Sequence, residues 1–83
     1  MAFNVIYKSS VKEDLKNIPK KQTLKIINKI EKLLRENPLV YPQLKGEYRG
    51  LRKFRAGDYR VIYIIDKNDV IILKIGNRKN VYE

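Results

Sequence analysis

The stretch from Lys45 to Arg60 holds six cations, Lys45, Arg49, Arg52, Lys53, Arg55 and Arg60, against only Glu47 and Asp58. Tyr48, Phe54 and Tyr59 are interleaved with them. Cationic side chains bind phosphate oxygens and flat rings stack on bases, so this mixture supplies what holding single-stranded RNA requires. The plainer alternative for the same residues is a solvated basic strand that keeps a sheet edge from pairing with its neighbours. Any chemistry done here is done without histidine or cysteine, because the 83-residue chain contains neither. That removes the commonest general base near neutral pH, thiolate nucleophiles, disulfides and the usual zinc ligands. Nine carboxylates scattered among nineteen cations are a poor basis for a metal site, so neither metal nor cofactor is expected. Arg, Lys, Tyr, Asp, Glu, Ser and backbone groups remain.

The net charge of +10 favours a polyanionic partner. With 43% hydrophobic and 34% charged residues, the composition predicts one small globular domain over residues 1–83. The opening residues Met1 to Lys8 lack the basic leader and long apolar run of a signal peptide. The longest apolar runs, Val61 to Ile65 and Val70 to Leu73, are too short to span a bilayer. The expectation is a cytoplasmic protein with no membrane partner.

The elements that must position the cations follow from periodicity. Phe3 to Tyr7 is β-branched and aromatic and predicts a short strand. Ser10-Val11-Lys12-Glu13 fits a helix-opening capping box, and Val11, Leu15 and Ile18 make one apolar stripe behind it. Pro19 ends that helix and opens the next, from Lys20 to about Glu36. There Ile26, Ile27, Ile30, Leu33 and Leu34 share one side, with Leu24 at its margin and Lys25, Lys29 and Lys32 opposite. Asn37-Pro38 stops it. After a connection from Leu39 to Gly50 come three strand candidates, Leu51 to Ala56, Tyr59 to Ile65 and Val70 to Ile75. Gly57-Asp58 and Asp66-Lys67-Asn68-Asp69 join them as antiparallel hairpins. The fold class is α+β: an N-terminal strand, a two-helix antiparallel hairpin, then a three-stranded antiparallel meander, in one sheet covered on one face by the helices.

Strand alternation assigns the faces. Lys53 and Arg55 lie opposite Arg52 and Phe54, and Arg60 alternates with Tyr59, Val61 and Tyr63. Along Val70 to Asn77 it puts Ile71, Leu73 and Ile75 toward the core. Ile72, Lys74 and Gly76 then face away, with Arg78 following if the strand continues.

The run Gly50-Leu51-Arg52-Lys53-Phe54-Arg55-Ala56-Gly57-Asp58-Tyr59-Arg60-Val61-Ile62-Tyr63 resembles the strand-turn-strand signature of the RelE/ParE toxin superfamily. Ile75-Gly76-Asn77-Arg78-Lys79-Asn80-Val81-Tyr82 is similar to that superfamily's C-terminal glycine–x–arginine…valine–tyrosine element, and the element order agrees along the chain. The resemblance implies a toxin of a type II toxin–antitoxin system with a RelE-like fold. RelE-like members cleave mRNA in the ribosomal A site; ParE-like members share the fold, act on DNA gyrase and usually lack the RNA-cutting residues. Carried over residue by residue, it implies a catalytic set of Arg60, Arg78, Tyr82 and Lys53. It also implies an RNA-holding role for Arg55, and the other cations expected to contact RNA are Arg52, Lys45, Arg49, Lys74 and Lys79. Leu51 stands where some members have a further lysine, and Asn77 where many have histidine. The expected function is a metal-independent, ribosome-dependent mRNA endoribonuclease that inhibits translation. Its expected partners are the ribosome, mRNA and an acidic, RelB-like antitoxin. The alternatives are a ParE-like gyrase inhibitor and a catalytically weak antitoxin-binding module.

Overall fold

The computed structural model describes residues 2–46 and 50–77. Arg49, Arg78, Lys79 and Tyr82 of the expected site, and Tyr48 beside it, lie outside the described residues. In chain order the elements are β1 (Asn4–Tyr7), α1 (Ser9–Lys16), α2 (Lys20–Lys29), β2 (Arg52–Ala56), β3 (Tyr59–Asp66) and β4 (Asp69–Asn77). The strands form one sheet in the order β1-β4-β3-β2. The two C-terminal hairpins are antiparallel, and β1 joins the outer side of β4 in parallel. The α+β order expected from the sequence is the order observed.

Helix α1 begins at Ser9, and its start is backbone-made. Lys8 is extended and caps the helix without any side-chain bond, so the capping box at Ser10 does not form. The Lys8 N–H is still held by the Ile72 carbonyl at 3.0 Å, and Val11 N–H already bonds Lys8 O at 2.9 Å. The chain therefore turns into the helix straight from β1, and Ser10 falls inside the first turn. The second helix is α-helical only to Lys29; Ile30–Leu34 form a single wider π turn. In a continuous α-helix Leu33, seven residues after Ile26, would face the core. The wider turn advances less per residue, so Leu34 takes that place, fully buried, while Leu33 is 40% exposed.

The core lies between the helices and one sheet face. It joins Val11, Ile18, Ile26, Ile30 and Leu34 to Phe54, Ala56, Val61, Tyr63, Val70, Ile72 and Ile75. Strict alternation on β4 fails at one point. Ile62 pairs with Lys74 and Tyr63 with Ile72, so Leu73 is an extra residue, a β-bulge. Before the bulge Val70 and Ile72 face the helices; after it Ile75 does. The expected core positions Ile71 and Leu73 are therefore only half-buried, and Ile72, expected outside, is fully buried. Lys74 and Gly76 keep the outward face they were assigned.

A polar latch fixes β1 against the end of the second helix. Tyr7 Oη donates to Glu31 Oε2 at 2.9 Å, and Arg35 Nε donates to Glu31 Oε1 at 3.1 Å. Arg35 also reaches Phe3 O at 3.1 Å, and Phe3 N–H returns a bond to Arg35 O at 2.7 Å. Partial burial pushes the Glu31 carboxyl up, but the bonds from Arg35 and Tyr7 and the Arg35 charge outweigh it and hold it below the usual range. A carboxylate held low stabilises the fold above its unfolded value of about 4.3, and that contribution is lost as pH falls through the folded value. Because the pair is partly exposed, Glu31→Gln should cost about 1 kcal/mol near neutral pH. The difference between the two proteins should shrink below about pH 4. Thermal melts of both from pH 7 to pH 3 check this; a gap that stays constant would remove Glu31 from the acid response.

Candidate nucleic-acid interface

The uncovered sheet face carries the cations in two cross-strand rows. Lys53 on β2 pairs with Ile62 on β3, which pairs with Lys74 on β4; Arg55 likewise pairs with Arg60, which pairs with Gly76. All four cations point away from the helices, since Phe54, Val61 and Ile75, their alternating neighbours, are in the core. Ile62 lies on this uncovered face yet is only 5% exposed. The result is three cations, Lys53, Arg55 and Arg60, beside one apolar floor, with Lys74 at its β4 edge.

The tight Gly57-Asp58 connection sets the Arg55–Arg60 pair. Gly57 has φ +63°, a left-handed conformation that costs a side-chain-bearing residue about 1 kcal/mol. The two-residue loop puts Ala56 opposite Tyr59 and hence Arg55 opposite Arg60. Two like charges directly across a ladder repel. Placing them together favours an anion that takes both.

The aromatic part of the expectation needs correcting. Phe54 is buried against the helices, and Tyr59 packs at the margin of the same core, so both rings belong to the helix-facing side of the sheet. They alternate with Lys53, Arg55 and Arg60, and the pleat that exposes the cations turns these rings inward. Tyr41, which sequence reasoning did not single out, is the ring at hand. It stacks edge-on against Phe54 at 4.9 Å and lines a cleft of about 340 Å³ with Pro42, Lys53, Phe54, Arg55 and Arg60. Its segment is pinned to the outer edge of β2, where Lys53 N–H bonds Pro42 O at 3.1 Å and Leu44 N–H bonds Leu51 O at 2.8 Å. The signal was available in the Tyr41-Pro42 pair, but nothing in the sequence places that connection beside β2.

The remaining expected contacts separate. Arg52 is on the core side of β2 and donates to Leu39 O at 3.2 Å and Tyr41 O at 2.6 Å, so it braces the connection. Lys45 is exposed in the connection. Lys74 reaches over the strand edge to Asp14 on α1, Nζ to Oδ1 at 3.2 Å. The structure thus gathers Lys53, Arg55, Arg60 and Lys74 and leaves Arg52 and Lys45 aside. At the other end of the same face Ile6, Ile71 and Ile64 lie in register across three strands, with Ile6 45% exposed. The face is cationic at one end and apolar at the other.

A model of the family described as the ParE toxin of type II toxin–antitoxin systems, parDE, matches residues 5–82. The chain is 32% identical, over all of its length and 98% of the relative's, to "Putative toxin RelE1" of Methanocaldococcus jannaschii. Among solved structures it is similar to the toxin–antitoxin complex RelBE2 of Mycobacterium tuberculosis. The TM-score is 0.83 at 27% identity, covering 94% of this chain and 100% of that one. It is also similar to the archaeal RelE–RelB complex of Pyrococcus horikoshii, with TM-score 0.75, 26% identity and coverage of 98% and 100%.

Proposed function

Because this chain belongs to the RelE/ParE superfamily of toxins from type II toxin–antitoxin systems, we propose that it is a ribosome-dependent endoribonuclease that cleaves mRNA in the A site. The observation that carries this reading is the convergence of Lys53, Arg55, Arg60 and Lys74 on the one sheet face that no helix covers. In the reaction the ribose 2′-oxygen attacks the adjacent phosphorus as its proton is removed. The bond from phosphorus to the 5′-oxygen breaks, that oxygen is protonated, and a 2′,3′-cyclic phosphate remains. The Arg60 guanidinium, with its planar fork of donors, suits the equatorial oxygens of the phosphorane, and Arg55 directly opposite adds a second fork. Lys53, two residues along β2 from Arg55, suits the next phosphate as a cation and serves as a base only in its neutral form. Arg78 and Tyr82, brought in by the family resemblance, complete the set from residues that follow Asn77 directly.

This is a sparse acid–base system with no histidine. Such a face grips a phosphate backbone without arranging the bases. Arrangement must come from elsewhere, and orientation of a bound substrate is worth roughly 7–11 kcal/mol. A ribosome that already holds the codon supplies it. The same face explains how the toxin is silenced: an acidic, RelB-like antitoxin segment with one apolar side meets charge at one end and the Ile6-Ile71-Ile64 row at the other.

Primer extension on mRNA from cells expressing the chain should show new 5′ ends inside translated frames, and none in untranslated regions. The description of the matching family model as ParE favours a second reading, inhibition of DNA gyrase without RNA cleavage. Gyrase-dependent DNA breaks with intact mRNA would select it.

A further inference from the structure

Strand β1 pairs with β4 only from Asp69 to Ile72, where it stops one residue short of the bulge at Leu73. From there to Gly76, among the described residues, β4 has β3 on one side and no strand on the other. An unpartnered ladder edge leaves backbone groups to be satisfied by something else, and a bulge adds local twist. Asp14, near the end of α1, fills that role. Its Oδ2 accepts the Ile75 N–H at 3.1 Å and its Oδ1 takes Lys74 Nζ at 3.2 Å. Its side chain is only 16% exposed. It is also the one acid lining a cleft of about 370 Å³ with Asn17, Ile18, Tyr59, Lys74, Ile75, Gly76 and Asn77.

We propose that Asp14 is a positioning residue for the cleavage face: it stands in for the missing strand beside β4 and sets the course of the segment Lys74 to Asn77. That segment has three consequences for the site. It carries Lys74 into the row with Lys53. It places Gly76, which has no side chain, across from Arg60. Its next residue is Arg78. One carboxylate with two donors fixes both a main-chain and a side-chain coordinate, and charge-assisted bonds of this kind are the stronger ones. Without it, Ile75 N–H turns to water and β4 loses that anchor to α1. Small displacements of positioned groups cost catalysis heavily, on the order of 10²-fold per ångström. The catalytic half of this inference rests on the endoribonuclease reading; the strand-holding half does not.

The test uses the full chain with Asp14→Ala and Asp14→Asn, reading amide hydrogen exchange and single-turnover cleavage of ribosome-bound mRNA on each. In Asp14→Ala the Ile75 amide should exchange at least tenfold faster, while amides of β2 and β3 keep their rates. Cleavage at saturating toxin should fall at least tenfold, with the half-saturating concentration unchanged and the protein folded at the assay temperature. Asp14→Asn keeps an oxygen acceptor for Ile75 N–H, so it should recover most of both losses. A merely structural role would lower the melting temperature and leave the rate of the folded protein alone. Unchanged Ile75 exchange in Asp14→Ala overturns the proposal, and so does faster exchange with undiminished cleavage. If the parent protein cuts no mRNA on the ribosome, the endoribonuclease reading and the catalytic half fail together. Ile75 exchange then decides the strand-holding half by itself.

Discussion

Arg60→Ala is expected to lower ribosome-dependent cleavage about 10²–10³-fold, the usual cost of removing one oriented donor from a developing anion. Arg60 lies on the uncovered face opposite Arg55, so the fold should survive the change. Arg60→Lys should recover a minor part of the rate, because a point charge cannot match two phosphate oxygens as a planar fork does. Growth arrest should be relieved in parallel. If Arg60→Ala arrests growth as strongly as the parent at equal expression, Arg60 is not at the reacting phosphate and the site is misplaced.

The second large effect is on stability, and it tests the bulge that sets the face of Lys74. Ile72 is fully buried, so Ile72→Ala should cost about 2–5 kcal/mol. Ile71 and Leu73 flank it on the outer face or in the bulge and are half-buried, so their alanine variants should cost about 1 kcal/mol. In a domain this small each kcal/mol moves the melting temperature by roughly 4–8 °C, so the separation is easily measured by thermal or denaturant unfolding. Larger losses at Ile71 and Leu73 than at Ile72 would mean that β4 alternates without a bulge.

Those two cases mark where the sequence was readable and where it was not. Lys53, Arg55 and Arg60 were assignable because each alternates with a residue of opposite character, Phe54 or Val61, and period two then fixes the side. Ile71-Ile72-Leu73 carries no such contrast. Three apolar residues in a row fit either phase, and the extra residue of a bulge is invisible in them. The π turn was hidden for a similar reason, since Leu33 and Leu34 are equally apolar and packing chose between them. The capping box at Ser10 lost to tertiary geometry: with Lys8 N–H bonded to Ile72 O, the helix starts two residues early. Phe54 and Tyr59 were read as part of the binding face because they are neighbours of cations in sequence. Neighbours along a strand point opposite ways, and that rule, applied to the rings as it was to the charges, sends them inward. Asp14 and Tyr41 owe their places to contacts distant in sequence, with Ile75 and Phe54, and no local pattern announces such contacts.

The most direct measurement uses purified protein with ribosomes programmed by a defined mRNA and an empty A site, beside the same mRNA free in solution. The predicted result is a cut within the A-site codon that leaves a 2′,3′-cyclic phosphate, needs no divalent metal for the chemical step, and is at least 10²-fold slower on free mRNA. Intact mRNA on the ribosome, or equal cleavage with and without it, would contradict the account.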